Sequence, residues 1–188
     1  MKTITFDWNC VISFENQEDQ ATSVEQLINL HRKKMVEVAI TTVSASETLK
    51  GSKEFPASAN FFNQRLENLG WSDLPLVLGP AVVGLTYIGM CKIVGENFSC
   101  ERDAIWEIIG GSTPRSLPAS LSDADLHSAY YKNWRNVWCD VHTLWAHIDS
   151  GRDVFIASNK RDFQNKMTQL RELGLKEVKT PKEMVASL

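Results

Sequence analysis

Several things are missing from this 188-residue chain, and each absence excludes a class of protein. Its four cysteines, Cys10, Cys91, Cys100 and Cys139, form no CxxC pair, and no histidine stands at finger spacing. A structural zinc site is therefore not expected, and the cysteines read as reduced thiols. No window approaches the roughly 18 uninterrupted apolar residues of a membrane span. The opening Met-Lys-Thr-Ile-Thr-Phe-Asp has no apolar leader stretch. The expectation is a cytoplasmic protein with no membrane partner. A large charge excess is missing too: 20 basic against 23 acidic residues leave a net charge of -3. That excludes a surface of bulk positive charge but permits a local basic patch that meets nucleic acid. Internal repeats and low-complexity segments are likewise missing, which excludes solenoids and fibres.

What is present is ordinary globular composition, 43% hydrophobic and 23% charged, in a length that suits one domain. Six tryptophans promise a well-filled core. Thr3-Ile4-Thr5-Phe6 alternates and runs into Asp7, which reads as an opening strand. Ser23 followed by Gln26 is a capping-box pattern, and Val24, Leu27, Ile28, His31 and Met35 then recur at helical spacing. The basic run Arg32-Lys33-Lys34 closes that helix, where cations favour the dipole. Val36 to Thr41 is a second strand. Ser44 with Glu47 is another capping-box pattern, and a later helical run stops at Leu69-Gly70.

Residues 71 to about 130 alternate short apolar pieces with Gly and Pro, and read as an elaboration with one or two short helices. Trp134, Val137, Trp138, Val141, Leu144, Trp145 and Ile148 then fall on one helical stripe that Gly151 ends. Val154 to Ala157 is a wholly apolar strand of the parallel-sheet kind. Phe163, Met167, Leu170 and Leu173 predict a helix closed by Gly174. A weak strand near Val178 and a helix started by Pro181 finish the chain. This alternation predicts an α/β three-layer sandwich with a mainly parallel central sheet, a single domain over 1–188.

Ligands of open parallel sheets gather beyond the carboxyl ends of the strands. Asp7 and Asn9 follow the first strand, Glu47 the second, and Asn159 and Asp162 the apolar one. Asp140 lies on the clear helix, about 100° from the centre of its apolar stripe, where it is expected half-buried with its head at a crevice. Clustered carboxylates resist ionising together unless a cation joins them, and hard oxygens suit Mg²⁺ or Mn²⁺. Such an ion activates water for attack on a phosphodiester.

These residues resemble the PIN-domain ribonucleases at both ends of the chain. Thr-Ile-Thr-Phe-Asp7-Trp-Asn9 is similar to the family's opening strand with its Asp-x-Asn signature, and Ala-Ile-Thr-Thr-Val-Ser-Ala-Ser-Glu47 to its second strand and second acid. Cys-Asp140-Val-His-Thr-Leu resembles the third acid, and Val-Phe-Ile-Ala-Ser-Asn159-Lys-Arg-Asp162 the final signature strand. Lys179-Thr-Pro181 resembles the usual ending. The resemblance implies a PIN-like fold and a metal-dependent endoribonuclease, a hydrolase cutting RNA. It makes Asp7, Glu47 and Asp140 ligands of Mg²⁺ or Mn²⁺, with Asp162 restoring a fourth carboxylate and Asn9 orienting Asp7. Many members carry Asp where Asn159 stands, and an amide offers its oxygen without charge. Lys160 and Arg161, directly after that strand, read either as contacts to RNA phosphates or as a solvated loop pair. A protein inhibitor or a second copy are further partners of the kind the family has.

Other readings stand beside this one. Glu47 can be only a capping residue, Asp162 only the N-cap of the last long helix, and Asp140 a solvated charge. His142 and His147 read as structural or surface residues. The alternative function is a PIN-like module, weakened by Asn159, that grips RNA or a protein without cutting. The Phe-Asp7-Trp-Asn9 strand also faintly resembles the haloacid-dehalogenase-like phosphatases. That chemistry needs an acid where Asn9 stands and further motifs beyond Ser158, after which only 30 residues follow.

Overall fold

The computed structural model describes residues 1–47, 58–117, 128–158, 163 and 165–188. In them the chain forms two compact units. One comprises Met1–Thr41, Leu74–Val77 and Ala146–Leu188, the other Thr42–Asp73 and Leu78–Trp145.

The first unit is built on a five-stranded, all-parallel sheet. Its strands are β1 (Lys2–Phe6), β2 (Val36–Thr41), β3 (Leu76–Val77), β6 (Val154–Ile156) and β7 (Glu177–Lys179), in the order β3-β2-β1-β6-β7. The register pairs Phe6 with Ile40 on one side and with Ile156 on the other. Ile4, Thr5 and Phe6 are all 0% exposed. A strand can bury successive residues only if both faces of the sheet are covered, which is why β6 reads as an unbroken apolar run. The covering helices are α1 (Trp8–Glu15), α2 (Ala21–Arg32), α6 (Met167–Glu172) and α7 (Pro181–Ala186), with the last turn of α5 (Ala129–Asp149).

Four expectations change here. α1 was not foreseen, because its Cys-Val-Ile run carries β-branched residues that continue a strand pattern. The structure makes it helical and buries Trp8, Cys10 and Val11. Ser23 sits inside α2, whose N-cap is Gln20 with no side-chain cap, so there is no capping box at that end. Met35 lies beyond α2 and is 58% exposed, because Lys34 at φ 58 has already closed the helix, with Met35 N–H on the Leu30 carbonyl at 3.0 Å. Phe163 is helical as expected, but a turn at Asn165 and Lys166 separates it from α6. It meets Phe155 edge-on with centroids 5.7 Å apart. Its end follows the reading: Gly174 takes φ 102, and Leu175 N–H returns to the Leu170 carbonyl. The α7 helix starts at Pro181, with a capping box between Thr180 and Glu183.

The second unit holds a 3₁₀ turn (Thr42–Ser46), α3 (Asn60–Asn68), a two-stranded parallel pair of β4 (Gly79–Pro80) and β5 (Cys91–Lys92), α4 (Phe98–Ile109) and most of α5. The expected elaboration at 71–130 thus holds one 12-residue helix among its described residues, and it also supplies β3 to the main sheet. Two-residue strands leave no periodicity to detect. Five of the six tryptophans lie in this unit, and all six are buried. Trp106 and Trp134 have ring centroids 6.3 Å apart, and Phe98 meets Trp145 edge-on at 4.9 Å. Aromatic area does here what long strands do in the first unit. All four cysteines are free, and no described helix is long and apolar enough to cross a membrane.

Candidate functional site

From β1 the chain moves to β2 and then β3 on one side, and later returns to β6 on the other side of β1. The strand order therefore reverses between β1 and β6, and the carboxyl ends of these two strands flank the crevice where open parallel sheets bind ligands. Asp7 occupies that point. Its N–H donates to the Ile156 carbonyl at 2.8 Å, extending the β1–β6 ladder by one bond. With φ -66 and ψ 148 it then turns the chain into α1 as the N-cap residue. Its side chain makes no capping hydrogen bond. Instead Asn9 Nδ2 donates to Asp7 Oδ2 at 2.9 Å, the pairing expected of an orienting Asn9.

The Asp7 side chain is half-buried, and desolvation raises its pKa above the ordinary carboxylate value. The Asn9 amide and the backbone amides of Trp8 and Asn9 pull the other way without cancelling the rise. Next to it the buried Cys10 thiol lies 3.3 Å from the Ile156 carbonyl, and the Ser158 hydroxyl lies 3.7 Å from its sulfur. Burial, aided by the Asp7 charge, pushes that thiol far above its usual range. It is an inert neighbour, not a nucleophile. Asn159, Lys160, Arg161 and Asp162, which continue this edge in sequence, lie outside the described residues.

Glu47 and Asp140 belong to the second unit. Glu47 follows the 3₁₀ turn and is half-buried, and its N–H donates to the Ser44 carbonyl at 3.3 Å. Ser44, the expected cap, is buried inside that turn, and the residues after Glu47 that the expected helix would use lie outside the described residues. Asp140 is exposed on α5, not half-buried as the helical wheel predicts. Asn136 and Asn133, one and two turns earlier on the same side, are exposed too. The two acids still share a neighbourhood. The buried Cys139 thiol is pushed well up by desolvation first, then by Glu47, with a further push from Asp140, and Arg135 opposes them. All three charges thus lie within electrostatic reach of one sulfur.

Arg135 is the residue that sequence reasoning missed. It is only 6% exposed, its Nε donates to the Ser46 carbonyl at 2.7 Å, and its Nη1 lies 3.5 Å from the Tyr131 hydroxyl. A signal existed. Arg135 stands four residues after Tyr131 and three before Trp138, so helical spacing places it between two apolar neighbours.

His142 and His147 are buried, which removes the surface reading of the pair. His142 Nδ1 lies 2.6 Å from the Trp138 carbonyl, and His147 Nδ1 lies 2.9 Å from Thr5 Oγ1 on β1. Desolvation lowers them to about 4 and about 3, so both are neutral. Among the described residues, no three His, Cys, Asp or Glu side chains are grouped so as to hold a metal ion. Set against protein-family models, curated proteins and solved structures, the chain has no match in any of the three comparisons.

Proposed function

We propose that the protein is a PIN-like, metal-dependent endoribonuclease that hydrolyses RNA phosphodiester bonds. The observation that carries this reading is the Asp7–Asn9 pair at the point where the strand order reverses. A carboxylate held there by an amide, desolvated and still partly open, has the chemistry of a hard-cation ligand. A cage of three protein ligands is not required. Mg²⁺ keeps several waters and is commonly bound by one or two carboxylates together with substrate phosphates. Asp7 therefore suits such an ion as a first ligand, and Glu47, Asp140 and Asp162 are the further ones the resemblance implies.

When bound, Mg²⁺ or Mn²⁺ supplies a Lewis acid and lowers the pKa of a coordinated water. The chain's own residues do the rest. Asn9 keeps Asp7 Oδ2 engaged and so fixes the orientation of the carboxyl. Asn159 offers an amide oxygen, and Lys160 and Arg161 neutralise RNA phosphates.

Purified protein is incubated with single-stranded RNA and Mn²⁺, with and without a chelator. Cleavage that the chelator stops and that Asp7→Asn removes supports the nuclease. Equal cutting by Asp7→Asn sinks it. The second reading is a module that holds RNA or a protein without cutting, and it rests on Asn159, an uncharged amide where many members of the family carry Asp. It gains if RNA is bound and recovered intact.

A further inference from the structure

Arg135 is a charge buried in an aromatic unit where a methionine of similar length would fill the space without desolvating an ion. Such a cation needs hydrogen bonds, and its Nε is committed to one backbone carbonyl, that of Ser46. Ser46 is the last residue of the 3₁₀ turn, and the next residue is Glu47. The bond therefore fastens the end of that turn to α5, the helix that carries Asp140 five residues further on. The guanidinium is planar, so two of its nitrogens have fixed directions: Nε faces Ser46 while Nη1 faces Tyr131.

We propose that Arg135 is a positioning residue: it fixes the Ser46–Glu47 backbone on α5 and so sets where the Glu47 carboxylate stands relative to Asp140. The proposal rests on the nuclease reading above, since it assigns Glu47 a working position in that reaction. Its consequence is kinetic. An arginine that only fills space would affect melting. One that places a ligand would affect turnover and the metal requirement while leaving RNA affinity alone.

The test uses the full chain, with RNA cleavage followed against RNA and Mn²⁺ concentration and folding followed by circular dichroism. Arg135→Gln removes the charge, Arg135→Lys restores a cation without the planar fork, and Trp106→Phe is a comparator that loosens the same unit away from the acids. The expected result for Arg135→Gln is a kcat lower by about tenfold or more, a half-saturating Mn²⁺ concentration raised severalfold, and a KM for RNA within about twofold. Arg135→Lys recovers part of kcat, and Trp106→Phe melts earlier with kcat and Mn²⁺ dependence near wild type. If Arg135→Gln does not fold, Arg135→Lys decides, and a roughly threefold loss of kcat supports the assignment. Wild-type kcat and Mn²⁺ dependence in the folded variant overturn it, as does an equal loss in Trp106→Phe. A wild-type protein that cuts no RNA overturns the nuclease reading itself, an outcome distinct from an active enzyme indifferent to Arg135.

Discussion

Asn9 Nδ2 and Asp7 Oδ2 stand 2.9 Å apart at the carboxyl end of β1, yet this bond does not offset the cost of desolvating the carboxylate. A folded carboxyl whose pKa is raised above its unfolded value holds its proton more tightly than the unfolded chain does. Stability is therefore lost as pH rises from the unfolded value, near 3.8, through the raised folded one. At neutral pH the Asp7 charge is a liability to the fold. Asp7→Asn is expected to raise the melting temperature at pH 7 by about 2–5 °C. On the nuclease reading it also abolishes metal-dependent cleavage. Calorimetry at pH 7 and pH 4 checks the first part. An unchanged or lower midpoint at pH 7 counts against a strained acid.

The two buried histidines act in the opposite direction. His142 and His147 titrate near 6.5 when unfolded, but desolvation holds them at about 4 and about 3 in the fold. As pH falls below 6.5 the unfolded chain takes up protons that the folded one refuses, so stability drops. At pH 5 each histidine contributes on the order of 2 kcal/mol of that loss. Gln at position 142 has no such titration and keeps a donor for the Trp138 carbonyl. Urea unfolding at pH 7 and pH 5 should therefore show a pH-dependent loss about 2 kcal/mol smaller in His142→Gln than in wild type. Identical losses in the two proteins would mean that His142 is charged or accessible in the fold.

Arg152, 9% exposed, clips β1 to β2. Its Nη2 donates to the Ile4 and Glu37 carbonyls, both at 2.9 Å, and its Nη1 meets Glu37 Oε1 at 2.7 Å. Removing the guanidinium strips buried carbonyls of a donor, while removing the Glu37 charge loses only an ion pair whose acid side is about a third exposed. Arg152→Ala is expected to cost about 2–4 kcal/mol and Glu37→Gln less than about 1 kcal/mol. Comparable losses in chemical denaturation would show that the ion pair, not the carbonyl clip, holds the strands.

The parts of this fold that could be read from residues are those where one local rule acts alone. β1 shows as an alternation, β2 as a stretch rich in β-branched residues and β6 as an apolar run, with α5 as a stripe and Gly70, Gly151 and Gly174 as helix ends at φ of 67, 66 and 102. The parts that could not be read are decided by partners distant in sequence. α1 is helical against its β-branched content because Trp8 and Val11 are buried by other elements. β3 is two residues long and exists only because Ile40 and Thr41 lie beside it. At the candidate site, Asp7 and Asn9 were legible because they are two residues apart at a strand end. Arg135 was not singled out, because its charge reads as surface until its two apolar neighbours along the helix are counted. Asp140 was placed too deep because a wheel angle fixes direction round a helix and says nothing of how far the cover extends.

Gly110 closes α4 with φ -73, a conformation any residue adopts, so its backbone gives no reason for glycine. A helix-compatible Gly→Ala change ordinarily stabilises by about 0.4–1 kcal/mol through the unfolded state. Here a Cβ would run into the Trp106 indole and stand 2.6 Å from the Trp106 carbonyl oxygen. The indole cannot simply swing aside, because Trp106 is 2% exposed and its Nε1 donates to the Thr113 carbonyl at 2.8 Å. Its displacement would also disturb the Trp134 ring, whose centroid lies 6.3 Å away. The clash therefore outweighs the entropy gain, and Gly110→Ala is expected to destabilise by about 1–3 kcal/mol. Gly111→Ala meets no atom but carries the strain of φ 58, so its cost is smaller, about 1 kcal/mol. Chemical denaturation of the two variants, with Trp fluorescence as the probe, separates packing from backbone. A more stable Gly110→Ala protein would mean that the Trp106 ring is not fixed where the Thr113 bond places it.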